Sequence, residues 1–242
     1  SVIGLFRGTG PATEFVSLAD RLPPTPLGCD EIFDVLAVGQ TVYFADEEKI
    51  LIWRDDRFTV VPCPSPPRSH GARLHRVGDT VYVTALNQPL RRLVRDHLEV
   101  VADDPIFRRN QVISVEAAAA GALVVLTAEH GFFQLAAGRV APLATDANRW
   151  LAGRRIWRAL RLADGGLVVA FTSVSGDGGM RFSATGEYLG PLDTSIGLYV
   201  KTLRDFFSDR EGGLWMGSET GLFRIEWPSA VTVFDAINGL AD

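Results

Sequence analysis

The sequence has no run of about 18 apolar residues, although hydrophobic residues make up 47% of it. This absence excludes a membrane-spanning helix within these residues, and the composition is typical of a compact soluble protein. No targeting segment and no linker that would divide the 242 residues are recognisable. The chain is therefore predicted to form one folded segment.

The chain also has fewer basic than acidic residues. The chain has 24 Lys and Arg residues against 29 Asp and Glu residues, for a formal net charge of −5. This balance argues against a general nucleic-acid binder, which needs cations to contact phosphates. It leaves open a local basic patch on one surface.

Histidines and cysteines are few and carry no recognisable motif. The four histidines (His70, His75, His97 and His130) show neither metal-ligand spacing nor an accompanying nucleophile elbow. A glycine-rich loop from Ser173 to Gly179 contains an aspartate but lacks the ligand spacing of a calcium loop. No catalytic residue, metal site or cofactor is predicted.

An internal repeat is present. Turn glycines recur at intervals of 39, 43, 44 and 47 residues, at Gly39, Gly78, Gly121, Gly165 and Gly212. After each turn comes an apolar strand without strict alternation, such as Val81-Tyr82-Val83 or Leu167 to Phe171. Continuous apolar character marks strands that are buried on both faces. A third strand follows in each unit, as at Leu90 to Val94 and Leu222 to Ile225, and a fourth ends each unit, as at Phe58 to Val61 and Leu98 to Val101.

Four short antiparallel strands per repeat of this length predict an all-β fold, a β-propeller built from four-stranded antiparallel blades. We expect five complete blades and a partial N-terminal blade, so that the chain starts in mid-blade and is part of a larger propeller. The expected segments are 2–27 (partial blade), 28–68, 69–110, 111–153, 154–201 and 202–242 with the start of a further blade. Either further residues complete a ring of about six to eight blades, or a strand from outside completes the first blade.

The last repeat carries the most specific motif. It resembles the two-component regulator propeller repeat at Asp209, Gly212, Leu214, Trp215, Gly217, Gly221, Leu222 and Arg224. The other repeats depart from it, with Tyr43 and Val124 where that family places tryptophan. The resemblance implies a sensor domain on the periplasmic or extracytoplasmic side of a bacterial inner-membrane histidine kinase, in which saccharides or their breakdown products are often the ligand. It also implies that contact with the membrane and homodimerisation belong to the parent receptor.

The two cysteines, Cys29 and Cys63, bracket the first complete blade. In the predicted fold they lie at the innermost and outermost strands, about 14 Å apart at roughly 4.8 Å per strand spacing. A disulfide needs α-carbons within about 7 Å, so the geometry argues against a bridge.

The candidate ligand site is the propeller face that carries two sets of loops. The leading loops precede the first strand of each blade, and the return loops join its second and third strands. The leading loops are basic in four of five blades and supply the predicted ligand-binding residues His70, Arg108, Arg109, Arg154, Arg155 and Lys201. Inward-pointing arginines would favour an anionic ligand through bidentate binding, whereas the alternative is that they pair with nearby acids.

Three functions remain open. The first is a ligand-sensing domain for a small molecule or oligosaccharide, with Trp150 and Trp157 as candidate stacking platforms and the 173–179 loop as a candidate cover. The second is a hydrolase or lyase acting on polysaccharide, for which no catalytic pattern is visible. The third is a protein-interaction scaffold, which the polar loops favour less. Sensing, without catalysis in this segment, is the function the sequence favours.

Overall fold

A computed structural model describes residues 6–8, 15–18, 21–22, 32–63, 71–172, 178–193, 198, 202–219 and 221–226. Within them the chain is built almost entirely from short antiparallel β-strands. Its internal contacts divide it into two compact units. The first comprises Ser1–Val125 and Gln134–Ala141, and the second comprises Leu126–Phe133 and Pro142–Asp242.

The first unit begins with a two-stranded hairpin, followed by two four-stranded sheets. The hairpin pairs β1 (Phe6–Gly8) with β2 (Phe15–Ser17). The first sheet contains β3 (Asp34–Val38), β4 (Thr41–Ala45), β5 (Lys49–Arg54) and β6 (Arg57–Pro62). The second contains β7 (Arg73–Val77), β8 (Thr80–Thr84), β9 (Leu90–Val94) and β10 (His97–Ala102). Each strand pairs with the next along the chain.

The same order continues in the third and fourth sheets. The third contains β11 (Val112–Ala117), β12 (Leu123–Thr127), β13 (Gly131–Ala136) and β14 (Arg139–Pro142). The fourth contains β15 (Ile156–Arg161), β16 (Leu167–Phe171), β17 (Gly179–Phe182) and β18 (Tyr188–Leu192). In the fifth, β19 (Leu203–Ser208), β20 (Leu214–Ser218) and β21 (Leu222–Ile225) are described.

These sheets confirm the predicted all-β fold of four-stranded antiparallel blades. The N-terminal hairpin corresponds to the predicted partial blade. The fourth strand expected in the fifth blade would follow Ile225, but residues 227–242 lie outside the described part of the chain. The five repeat-defining glycines all have positive φ, from 59° at Gly39 to 86° at Gly212, as the turn prediction requires.

Apolar side chains join neighbouring blades face to face. In the first unit, Tyr43 and Ile52 of the first sheet share a buried core with Leu74, Val81 and Val83 of the second. In the second unit, the fourth and fifth sheets share another core. Val168 and Ala170 meet Leu214 and Met216 there, all essentially without solvent exposure. Full burial of one such side chain contributes about 1.5–3 kcal/mol, so these shared cores account for much of the stability.

Two short helices replace loops predicted from the sequence. The helix α1 (Pro105–Arg109) is capped by Asp104, whose side chain accepts a hydrogen bond from the N–H of Ile106. The helix α2 (Asp146–Leu151) is capped by Thr145 in the same way. Arg108 and Arg109 therefore lie in the last turn of a helix, and not in an extended loop. No helix among the described residues is long and apolar enough to cross a membrane.

Cys63 is a fully buried free thiol at the end of β6. The Nη2 of Arg91 donates to its Sγ at 3.2 Å, and burial raises the pKa of the Cys63 thiol. Its suggested partner in a bridge, Cys29, lies outside the described residues.

Candidate functional site

The leading and return loops contact each other, as the propeller prediction requires. In the first unit, the N–H of Ala72 donates to the carbonyl of Asp46 at 3.3 Å, and the N–H of Asn87 donates to the carbonyl of Arg108 at 2.9 Å. In the second unit, the N–H of Ile156 donates to the carbonyl of Ala128 at 2.7 Å. Each return loop thus supports the leading loop of the next blade. We call the residues of these loops the loop cluster of each unit. The loop cluster of the first unit comprises residues 46–48, 71–72, 86–88 and 105–110. That of the second unit comprises residues 128–130 and 152–155.

Arg108 is anchored within the loop cluster of the first unit. Its guanidinium pairs with the Asp103 carboxylate through Nε and through Nη2, the latter at 2.8 Å. Its Nη1 also donates to the carbonyl of Asn87 at 3.3 Å. The hydrogen bond from Arg108 lowers the pKa of Asp103, and the same bond raises the pKa of Arg108. Arg108 therefore positions the return loop, with its charge already balanced.

Arg109 differs from its neighbour. It is exposed in the last turn of α1 and makes no ion pair with any residue that the structure describes.

Arg154 and Arg155 are brought together in the loop cluster of the second unit. The guanidinium of Arg154 lies over the ring of Phe171, 5.3 Å from its centroid. Arg155 Nε lies 3.4 Å from the Oε1 of Glu129, and both side chains are exposed. The return-loop acid Glu129 thus lies beside the leading-loop arginines.

Asp46, an acid of the first return loop, has a structural role. It is buried, and its Oδ1 accepts hydrogen bonds from the N–H groups of Glu48 and Lys49, both at 2.7 Å. Its Oδ2 lies 3.2 Å from the Nζ of Lys49, which is also buried. Asp46 therefore fixes the shape of its own loop.

Some of the remaining predicted residues lie outside the described part of the chain. The others stack on or hydrogen-bond to neighbouring groups of the protein. His70, Lys201 and residues 173–177 of the glycine-rich loop fall outside the described part. Trp150 stacks on Tyr188, with ring centroids 4.0 Å apart, and Trp157 donates from Nε1 to the carbonyl of Arg204 at 3.1 Å. Arg204 itself pairs with the return-loop residue Glu219. The basic pattern of the leading loops does not indicate Arg204, because this residue lies just inside β19.

The motif of the last repeat forms a compact hydrogen-bonded cluster around Asp209. Its Oδ1 accepts from the N–H groups of Glu211 and Gly213, at 3.0 and 2.7 Å. Its Oδ2 accepts from Trp215 Nε1 at 2.8 Å and Arg224 Nε at 2.9 Å. The hydrogen bonds from Trp215 and Arg224 lower the pKa of Asp209 to about 2. The motif thus ties the β19–β20 turn to β20 and β21.

His75 and His97 lie on the two edge strands of the second sheet. His75, on the first strand of the second sheet, is buried and hydrogen-bonded to Thr84 Oγ1 at 2.9 Å. His97, on the last strand of that sheet, lies 3.3 Å from the Oε1 of Glu99. Among the described residues, no cluster of three or more His, Cys, Asp or Glu side chains has a geometry able to hold a metal ion.

Comparison with sequence families gives no match to any family model, and no curated protein matches. Solved structures do match. The extracellular domain of BT4673 from B. thetaiotaomicron, described as a one-component system, has a TM-score of 0.62 at 16% identity. The match covers 82% of this chain and 30% of that one.

Two further structures illustrate the range of the fold. The extracellular domain of BT3049 from B. thetaiotaomicron, described as a hybrid two-component system, matches with a TM-score of 0.58 at 16% identity over 84% of this chain and 30% of that one. Virginiamycin B lyase from Staphylococcus aureus matches with a TM-score of 0.53 at 12% identity over 81% and 70%. The chain thus spans less than a third of the length of the two extracellular domains. It has the β-propeller fold that its repeat predicted, the same fold as these extracellular domains of bacterial signalling systems, in agreement with its resemblance to the two-component regulator propeller repeat.

Proposed function

We propose that this propeller is the ligand-sensing domain of an extracytoplasmic signalling receptor and that it binds an anionic small molecule, with acidic saccharides as the ligand class to test first. The fold it shares with the extracellular domains of BT4673 and BT3049 supports the sensing role. Binding, without turnover, is the role proposed for these residues.

The observation that supports the anionic preference is the exposed, positively charged side chain of Arg109. Arg109 is exposed and has no carboxylate partner among the described residues, and the five donors of a guanidinium match the geometry of a carboxylate or sulfate group. Because the whole chain is acidic, with a net charge of −5, this cation is a local exception that can attract an anion.

The second unit also has an exposed arginine in its loop cluster, Arg155, but this arginine is already paired with an acid. The exposed pair of Arg155 and Glu129 is of a kind that contributes at most about 1 kcal/mol. A ligand carboxylate can therefore take the place of Glu129 at little cost. Arg154, held over Phe171, then adds a second fixed positive charge beside it.

Calorimetric titration with oligosaccharides that carry uronate or sulfate groups, with their neutral counterparts for comparison, tests the proposal. We expect the acidic compounds to bind, and Arg109→Ala or Arg155→Ala to weaken binding about tenfold or more, because a charge-assisted hydrogen bond contributes about 1.5–3 kcal/mol. The loss should be smaller at high salt, where exposed charges are screened.

Arg139→Ala is the matched control. Arg139 is also exposed, but it lies at the start of β14, outside the loop clusters. Its removal changes the net charge equally and should leave affinity unchanged. Equal losses in all three variants would show that only net charge matters. Unchanged affinity in Arg109→Ala would refute the proposed site of the first unit, and unchanged affinity in Arg155→Ala would refute that of the second.

The enzyme alternative is tested in the same samples. Virginiamycin B lyase shows that this fold also occurs in an enzyme. Chromatography of the saccharide after prolonged incubation should recover it intact. Cleavage that depends on the protein would replace the sensing proposal with a catalytic one.

A further inference from the structure

Two β-bulges lie at matching places in the second unit. In the fourth sheet, the residues before and after Trp157 pair with adjacent residues of β16, so Trp157 is an extra residue in β15. In the fifth sheet, the two neighbours of Arg204 pair with adjacent residues of β20, so Arg204 is an extra residue in β19. Each is the second residue of its strand, just after the leading loop. We call Trp157 and Arg204 the bulge pair.

The first two sheets have no bulge at this place. There β3 pairs with β4, and β7 pairs with β8, residue for residue along their full length. The blade repeat therefore does not require a bulge. A bulge interrupts the regular hydrogen bonding of two strands and changes the direction of a side chain, and bulges are common beside active sites. The bulge pair thus indicates a role for this end of the fourth and fifth sheets besides holding the sheets together.

The bulge pair joins β15 to β19 through polar contacts. Trp157 donates from Nε1 to the carbonyl of Arg204 at 3.1 Å. The next residues along the two strands also approach each other, because Arg158 Nε lies 3.6 Å from the Oδ1 of Asp205. The Arg204 guanidinium pairs with Glu219 of the return loop. One hydrogen bond thus fixes the edge of the indole ring beside a cation and an acid.

These side chains are accessible to solvent. The side chains of Arg204 and Asp205 are 51% and 68% exposed, and Trp157 is partly exposed. An ion pair as exposed as that of Arg204 and Glu219 is weak, so a ligand carboxylate can replace Glu219. Arg155, an exposed arginine of the loop cluster, lies two residues before Trp157 on the same chain.

An indole, a carboxylate and a guanidinium in this arrangement match the chemistry of a sugar acid. The face of an indole packs against the C–H groups on one side of a pyranose ring, whereas the hydrogen bond to β19 uses only its edge. A carboxylate accepts hydrogen bonds from hydroxyl groups, and a guanidinium binds a carboxylate through two parallel bonds. A simple anion would use only the guanidinium.

We propose that the bulge pair and Asp205 form a subsite for one pyranose ring of an acidic saccharide. Trp157 stacks on the ring, Asp205 accepts hydrogen bonds from its hydroxyl groups, and Arg204 binds its carboxylate. This inference rests on the proposed function, to which it adds recognition of the sugar ring. Recognition of the charge alone is the role already proposed for Arg109 and Arg155.

Calorimetric titration with trigalacturonate and with citrate separates ring recognition from charge recognition, because both are tricarboxylates and only the first contains sugar rings. We expect Trp157→Ala to weaken trigalacturonate binding at least about tenfold and to leave citrate binding unchanged. Trp157→Phe keeps an aromatic face but loses the N–H donor, and it should retain most of the affinity for trigalacturonate. A loss in Trp157→Phe as large as that in Trp157→Ala would assign Trp157 to the hydrogen bond with β19 and overturn the proposal.

Asp205→Asn provides a test that does not depend on the folding of the Trp157 variants. Removal of a negative charge beside an anionic ligand should by itself strengthen binding, as expected for citrate. We expect trigalacturonate instead to bind about fivefold more weakly, because its hydroxyl groups lose a charged acceptor. Glu187→Gln is the matched control, since Glu187 is exposed in the β17–β18 turn and its substitution changes the net charge equally. Its affinity for both compounds should equal that of the parent.

The outcomes distinguish this inference from the proposed function. If trigalacturonate binds Trp157→Ala or Asp205→Asn as tightly as it binds the parent, the subsite is wrong and the anion site stands. Binding of citrate without binding of trigalacturonate leads to the same conclusion. Binding of neither compound to the parent would overturn the proposed function and the subsite together.

Discussion

At the scale of single residues, Asp209 shows how one side chain can hold a whole hairpin together. It accepts hydrogen bonds from two backbone N–H groups, an indole and a guanidinium. The sequence indicated its importance through the repeat motif but not its role. A carboxylate, a tryptophan and an arginine at this spacing are also compatible with a ligand site, and only the side-chain directions show that they bind one another.

Asp209→Asn should change the acid sensitivity of the fold. The pKa of this carboxyl is about 2 in the folded chain, against an ordinary value of 3.8, so the carboxylate form stabilises the fold above about pH 4. That stabilisation is lost as the pH falls from about 4 through about 2. Melting temperatures measured across this range should decline less steeply in Asp209→Asn than in the parent.

Asp79→Asn is the control for this titration, because the Asp79 side chain is 99% exposed. Its acid profile should follow the parent. If Asp209→Asn also follows the parent profile, the hydrogen bonds to Asp209 do not contribute to folding stability.

At the scale of elements, the repeat predicted the strands well and the helices not at all. The predicted third strands Leu90 to Val94 and Leu222 to Ile225 coincide with β9 and β21. Strand positions follow from apolar content and turn glycines, which are local properties. The helices α1 and α2 were taken for loops because each is shorter than two turns and leaves almost no apolar periodicity, although Asp104-Pro105 is a typical helix start.

Asn148 is the residue that ties α2 to the third sheet. Its Oδ1 accepts from the N–H of Phe132 and its Nδ2 donates to the carbonyl of Leu143, both at 2.8 Å. Asn148→Ala leaves both backbone groups without these partners and should lower the free energy of unfolding by about 1–3 kcal/mol. Denaturant titration measures the change.

Asn148→Asp separates the two hydrogen bonds, because it keeps the acceptor for Phe132 and loses the donor to Leu143. Its stability should lie between those of Asn148→Ala and the parent. An Asn148→Ala variant as stable as the parent would show that water replaces both bonds.

At the scale of the whole molecule, stability depends on cores that neighbouring blades share, since a single sheet cannot bury both faces alone. The sequence predicted this through the continuous apolar strands, and the buried pattern of β16 confirms it. The candidate site was predicted less completely. Its basic residues were named from their position in the repeat, but the acids that balance them, such as Asp103 for Arg108, depend on loop conformations that a repeat does not encode.

Met216→Ala tests the shared core. Met216 is fully buried between the fourth and fifth sheets, so the cavity should cost about 2–5 kcal/mol. Hydrogen exchange should accelerate at Val168 and Ala170 of β16 as well as in β20. Leu189→Ala, at an exposed site, should change stability by less than about 0.5 kcal/mol. Faster exchange confined to β20 would show that the two sheets open independently.

The cluster around Asp209 also bears on how such chains are compared. The residues of the motif hydrogen-bond one another, so two chains that share the motif share the geometry of a hairpin, which carries no information about a ligand. A prediction of ligand preference therefore cannot be based on the motif and needs residues outside it.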